Sequence, residues 1–263
     1  IKLLDQASAS SQNENSSKIL ALKTAFLITR KKYPQALLIA EQITKNWPTL
    51  SLGKISKGDV FLAEKTYDAA LNAYQQAYKI DKNDQVLELI LKILIIQNKH
   101  QQAITLLETE QHTASNLLRF QFMLANLYQK TSQYNLAAKQ YENLLLKQKD
   151  NVIILNNLAW VYSQQQNSKA LEIAEQAYKK SPDLAFVADT YGYILLKNGN
   201  KQESLKVLTK AAKKAPKLSI LQLHFSESLI ANQKTSQARE ILQQLVNINS
   251  AEKTEAKRLL KEL

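Results

Sequence analysis

Apolar and small residues return along this chain at intervals that only a helix places on one face, and the whole set returns every 33 or 34 residues. One row reads Ala36, Ala70, Ala103, Ala137, Ala170, Ser204 and Ala238. Four residues later stand Ala40, Tyr74, Leu107, Tyr141, Ala174, Leu208 and Leu242, and three further on Ile43, Ala77, Glu110, Leu144, Ala177, Ala211 and Leu245. Offsets of four and seven share a helical face. Only Glu110 breaks the last row. Five residues on come Pro48, Lys82, Ser115, Lys149, Pro182, Pro216 and Ser250. Proline there ends one helix or opens the next.

A second apolar pattern precedes each of these helices. It reads Leu124-Ala125-x-x-Tyr128, Leu158-Ala159-x-x-Tyr162, Tyr191-Gly192-x-x-Leu195, Phe225-Ser226-x-x-Leu229 and, earlier, Gly58-x-x-Phe61. A small residue followed by a bulky one predicts two helices that cross closely. Short polar turns such as 197–200 and 164–168 join them. The run from Val86 to Ile96 is apolar on nearly all sides; its β-branched residues fit a buried strand, but the periodicity on either side predicts a buried helix.

Residues Tyr67 to Tyr78, Ala170 to Tyr178 and Ser181-Pro182-Asp183 carry a family resemblance. The unit resembles the tetratricopeptide repeat, a 34-residue helix–turn–helix with small residues at positions 8 and 20, aromatics at 11 and 24 and Pro at 32. The resemblance implies an all-α fold, a right-handed superhelical α-solenoid of about seven units. The expected units are 17–50, 51–84, 85–117, 118–151, 152–184, 185–218 and 219–250. Residues 251–263 read as a capping helix with an apolar edge at Ala256, Leu259, Leu260 and Leu263. Residues 1–16 read as the end of a preceding helix and a polar linker. The sole Met is Met123, so a chain opening on Ile1 reads as a fragment or processed product.

Composition narrows the function classes. Gly and Pro number four each, about a quarter of average usage, which disfavours folds rich in tight turns or glycine loops. Without cysteine there is no disulfide or thiolate chemistry. The net charge of +12 comes from 31 Lys and only Arg30, Arg119, Arg239 and Arg258. Bidentate phosphate and base recognition favours Arg, so the excess reads as a diffuse field rather than a nucleic-acid site. Its densest run is Lys197, Lys201, Lys206, Lys210, Lys213, Lys214 and Lys217. No phosphate loop, dinucleotide fingerprint, zinc helix or nucleophile elbow occurs, and the expectation is a non-enzyme with no catalytic residue, metal or cofactor. His100 and His112 fall in polar, turn-like segments and His224 in a helix, all three read as structural.

In tetratricopeptide arrays the first helix of each pair lines a concave face, and the resemblance implies the same here. Positions 2, 5, 9 and 12 of that helix share an azimuth. They give Arg119, Phe122, Asn126 and Gln129; then Ile153, Asn156, Trp160 and Ser163; then Phe186, Asp189, Tyr193 and Leu196; then Ile220, Leu223, Glu227 and Ile230. The amides can pair with a peptide backbone. The aromatics offer the flat contact of interface hot spots. The charged members set charge preference. The candidate site is therefore Arg119, Phe122, Asn126, Gln129, Asn156, Trp160, Ser163, Phe186, Asp189, Tyr193 and Glu227. Trp160 and Tyr193 are read as equally able to serve binding or packing. Tyr128 and Tyr162 read as core, and Trp47 as a turn anchor. No Lys at position 5 precedes an Asn at 9, so the carboxylate clamp of some family members is disfavoured.

The expected function is a scaffold for a peptide or protein. The strings Asn156 to Tyr162, Ala170 to Tyr178, Asp189 to Tyr193 and Lys197-Asn198-Gly199 resemble the C-terminal repeats of bacterial tetratricopeptide lipoproteins of the PEP-CTERM/exosortase system. That resemblance implies an exported, envelope-associated bacterial protein with a lipid anchor upstream. The alternatives are a cytoplasmic module that binds an acidic protein or nucleic acid through its Lys-rich face, and a self-assembly module.

Overall fold

The computed structural model describes residues 14–110 and 117–263. Among them are fifteen helices and no strand. In chain order they are α1 (Glu14–Thr29), α2 (Tyr33–Asn46), α3 (Leu52–Ala63), α4 (Tyr67–Ile80), α5 (Asp84–Ile96), α6 (His100–Glu110), α7 (Leu117–Lys130) and α8 (Tyr134–Lys147). There follow α9 (Val152–Gln164), α10 (Ala170–Lys180), α11 (Ala185–Lys197), α12 (Lys201–Lys214), α13 (Ser219–Ala231), α14 (Thr235–Asn247) and α15 (Lys253–Glu262). Odd-numbered helices α1 to α13 open a pair and even-numbered ones close it, giving an all-α solenoid capped by α15. The chain divides into two compact units, one up to Phe120 and one from Gln121.

The crossing inside each pair explains the small residues. In the first unit a β-carbon on Gly58 would lie 2.4 Å from the Tyr74 ring. In the second, one on Gly192 would lie 2.5 Å from Leu208. Ala125 and Tyr141 occupy the equivalent positions in another pair, and both are fully buried. The aligned row from Ala36 to Ala238 is buried throughout. The run from Val86 to Ile96 lies in α5, with Val86, Leu87, Ile90, Leu91, Ile93 and Leu94 buried. Tertiary burial thus overrides its β-branched content.

Glu110, the polar exception, is buried by its own partners. It accepts from the Tyr78 hydroxyl at 2.9 Å and from Lys82 Nζ at 3.0 Å. Similar ties cross other seams between neighbouring repeats. Lys99 Nζ donates to Asp68 Oδ1 at 3.0 Å, Gln165 Nε2 to Asn135 Oδ1 at 2.7 Å, and Asn232 Nδ2 to the Lys201 carbonyl at 2.9 Å. Lys180 pairs with Asp150 at 2.6 Å, and Lys214 with Asp183. Most are exposed and screened by water, so they set register more than stability.

Every first helix ends the same way. Lys31, Lys65, Asn98, Ser132, Gln166, Gly199 and Gln233 have φ between 55° and 82°. The next residue returns its N–H to a carbonyl five positions back, as Lys32 to Leu27 and Asn167 to Tyr162, both at 2.9 Å. This is the Schellman end, where a left-handed residue closes the helix. Only one of the seven is glycine.

At the end of the chain, Ala256 and Leu259 of α15 pack on Leu223, Leu242 and Leu245, with Leu260 and Leu263 at the border. At the start, α1 begins at Glu14, three residues before the boundary expected from sequence. Ser16 and Ser17 are buried, and the Ser17 hydroxyl donates to the Glu14 carbonyl at 2.6 Å. Small polar residues there read as a loop but pack as a helix start. The rest of the expected linker, residues 1–13, and His112 lie outside the described residues. His100 opens α6 rather than lying in a turn.

Two outcomes follow from this packing. Gly58→Ala should lower stability by about 1–2 kcal/mol, even though alanine gains about 1 kcal/mol in helix propensity. In a Tyr74→Ala background, which opens the crossing, the same change should cost nothing. A double-mutant cycle by chemical denaturation reads the difference, and equal costs in both backgrounds would remove the crossing from the account. Lys65→Gly and Gln166→Gly should each stabilise by about 0.5–1 kcal/mol, because a left-handed side chain costs more than glycine's extra chain entropy. Gly199→Ala should do the reverse in the same melting experiment.

Candidate functional site

The first helices α9, α11 and α13 belong to three successive repeats of the second unit and pack side by side. Asn151 caps α9, its side chain accepting from the N–H groups of Ile153 and Ile154 at 3.1 and 3.2 Å. Four-residue steps place Asn156 and Trp160 on one face of α9, and Asp189, Tyr193 and Lys197 on one face of α11. His224 and Glu227 lie one turn apart on α13.

These helices bring three rings together. The Trp160 and Tyr193 centroids are 5.3 Å apart, Tyr193 and His224 4.2 Å, and Trp160 and His224 6.1 Å. Asp189 Oδ1 lies 2.8 Å from His224 Nδ1, with both side chains buried. A carboxylate oxygen only accepts, so Nδ1–H donates and the ring orientation is set. Lys197 Nζ stands 4.9 Å over the Tyr193 ring. Burial pushes the Glu227 carboxyl above its usual range, against the opposing pull of Lys197 and His224. Two acceptors are shut from solvent without a hydrogen-bond partner, Asn156 Oδ1 and Glu227 Oε2.

Other expected site residues have different surroundings. The Tyr141 hydroxyl lies 2.7 Å from Asn126 Oδ1 and 2.8 Å from Gln129 Oε1. Asn157 Nδ2 donates to Asn126 Oδ1 at 3.2 Å, and the Phe122 ring meets Tyr141 edge-on at 6.2 Å. Asn126, Gln129 and Phe122 therefore form a polar and aromatic group of their own. Arg119, in the first unit, pairs with Glu88 at 2.5 Å. Ser163 is half-buried on α9, and Phe186 is exposed at the start of α11.

Position 24 decides which position 9 is engaged by the fold. The Tyr74 hydroxyl donates to Asp59 at 2.6 Å, just as Tyr141 reaches Asn126, fifteen residues apart in both cases. Where position 24 is Ala174, Leu208 or Leu242 there is no hydroxyl to spend, and position 9 holds Trp160, Tyr193 and Glu227.

Sequence reasoning missed Asn157, Lys197 and His224. The signal lies in the repeat arithmetic. Asn157 and His224 both occupy position 6, and both reach the position-9 residue 31 places earlier, Asn126 and Tyr193. Among the described residues no group of three His, Cys, Asp or Glu side chains is arranged to hold a metal, and no helix is long and apolar enough to cross a membrane.

Two family models, both described as tetratricopeptide repeat, match residues 122–185 and 54–84. The chain carries tetratricopeptide repeats at both stretches. Its repeats are similar to a stretch of tetratricopeptide repeat protein 21A from Mus musculus, 30% identical over 168 residues. That match takes in 60% of this chain and only 12% of the mouse protein. A tetratricopeptide repeat protein from Parabacteroides merdae has a similar fold, with a TM-score of 0.72 and 14% identity over 94% of this chain and 98% of that one. So has YrrB, a tetratricopeptide protein titled as having an unusual peptide-binding site, with a TM-score of 0.55 and 14% identity over 70% of this chain and 95% of that one.

The half-buried Glu227 makes stability depend on pH in a stated direction. A carboxyl raised in the folded state stabilises below its unfolded value, and that contribution is lost as pH rises through the folded value. Glu227→Gln should therefore gain in melting temperature relative to the parent as pH rises from the ordinary carboxylate range to neutrality. Parallel pH profiles would show that Glu227 is not held out of water.

Proposed function

We propose that this tetratricopeptide repeat protein is a non-enzymatic scaffold that binds an extended peptide segment of a partner protein along the first helices of its second unit. One observation carries the reading: Trp160, Tyr193 and His224 meet at the one stretch of that strip where position 9 is not engaged by a Tyr at position 24. Large flat rings beside unsatisfied acceptors are what an interface hot spot offers a peptide. Phe122, Asn126, Gln129, Asn156, Ser163, Phe186, Asp189 and Glu227 stay in the proposed surface, with Asn126 and Gln129 giving polar contacts through the group around Tyr141; Arg119, in the first unit, is not part of it. The likeness to YrrB, a protein with an unusual peptide-binding site, supports the same class of ligand.

The Lys-rich segment supports this reading more than a nucleic-acid one. Lys206 pairs with Glu203, and Lys210 and Lys214 share Asp183, so three of the seven lysines are already engaged by carboxylates of the chain. A role in bacterial envelope protein sorting or exopolysaccharide export, in the periplasm, is our finer proposal. It rests on the strings from Asn156 to Gly199.

The test is selection from a phage-displayed library of unstructured peptides. The parent should enrich a peptide set that Trp160→Ala fails to retain while keeping its circular dichroism and melting temperature. Equal retention by both proteins would move binding off this face, and no enrichment would end the peptide reading.

A further inference from the structure

The chain is basic as a whole, yet two acceptors at its aromatic cluster have no hydrogen-bond partner. Glu227 Oε2 and Asn156 Oδ1 are both buried and unpartnered, one turn from His224 and Trp160 respectively. An unsatisfied buried acceptor is costly, and a native protein retains one where something else supplies the hydrogen. The nearby charges have the same sense. Asp189 is held by His224, and Arg258 is spent on Glu255 and Glu262. That leaves Lys197, exposed and poised over Tyr193, as the cation facing Glu227.

We propose, resting on the groove reading above, that this cluster receives an arginine side chain of the bound segment, its guanidinium lying against the Trp160 and Tyr193 rings and donating to Glu227 Oε2. Asn156 Oδ1 takes a backbone N–H of the same segment. Arginine fits better than lysine, because its planar fork stacks on rings while still presenting several donors. An acidic side chain meets two carboxylates, Asp189 and Glu227, against the single exposed cation Lys197. The resident Lys197 ammonium holds the face of Tyr193 in the free protein and gives way to the incoming guanidinium.

The test uses the full chain carrying Trp47→Phe, which leaves Trp160 as the sole indole. The probes are acetyl-Leu-Ala-Arg-Ala-Leu-amide and the same peptide with citrulline, which keeps the shape of arginine without its charge. Saturable change in Trp160 fluorescence is expected with the arginine peptide, with affinity about tenfold weaker for citrulline. In Glu227→Gln, a conservative change whose folding is checked by melting, the two peptides should bind alike. Equal affinity for both peptides in the parent, a preference that survives Glu227→Gln, or no binding of either peptide would overturn the proposal. Failure here is distinct from failure of the groove reading. If displayed peptides still select Trp160 without favouring arginine, only the arginine assignment falls. If no displayed peptide is retained, both fall.

Discussion

In most pairs the first helix approaches its partner so closely that a small residue must stand at the crossing, and the rest of the structure depends on that contact. Gly58 against Tyr74 and Gly192 against Leu208 leave no room for a further methyl group. The small residue fixes where along the helix the partner crosses. The bulky residue fixes the separation. Once both are set, the turn between them is short, three residues in six pairs and five between α9 and α10, and a left-handed residue closes the first helix in all seven described pairs. Stacking then follows, because each pair carries an apolar face it cannot bury alone.

The same contact governs chemistry on the opposite face. A position-24 tyrosine fills the crossing and pushes its hydroxyl through to position 9, where it binds Asp59 in one repeat and Asn126 in another. Ala174 and Leu208 fill the crossing without a hydroxyl. The position-9 residues above them can then be rings that meet one another. Packing inside the pair thus determines where a binding surface can be built outside it.

The fold was largely legible because its constraint is local. Rows of Ala, Gly and Tyr at fixed offsets name the pairs, and even the β-branched run of α5 yields to the period on either side. Glu110 was legible only as an exception, since Tyr78 and Lys82 lie about one repeat away. The site was legible by half. Trp160, Asp189 and Tyr193 stand on the expected azimuth, but nothing around His224 in sequence announces a carboxylate. Its partner Asp189 is 35 residues earlier, and only the packing of α11 on α13 joins them. Asn126 and Asn156 occur on the same strip with the same side chain, yet one is engaged by Tyr141 and the other is not.

A cluster assembled from residues one repeat apart has a particular relation to the history of its gene. Duplicating or deleting a whole 33- or 34-residue unit at some distance from α9 to α13 would leave every crossing intact and carry the cluster along unchanged. Inserting one residue within those helices would turn Asp189 from His224 and disperse the rings. Arrays of this kind can therefore lengthen and shorten freely while a local surface is transmitted whole, and surfaces in different members need not lie at corresponding distances from either end of the chain.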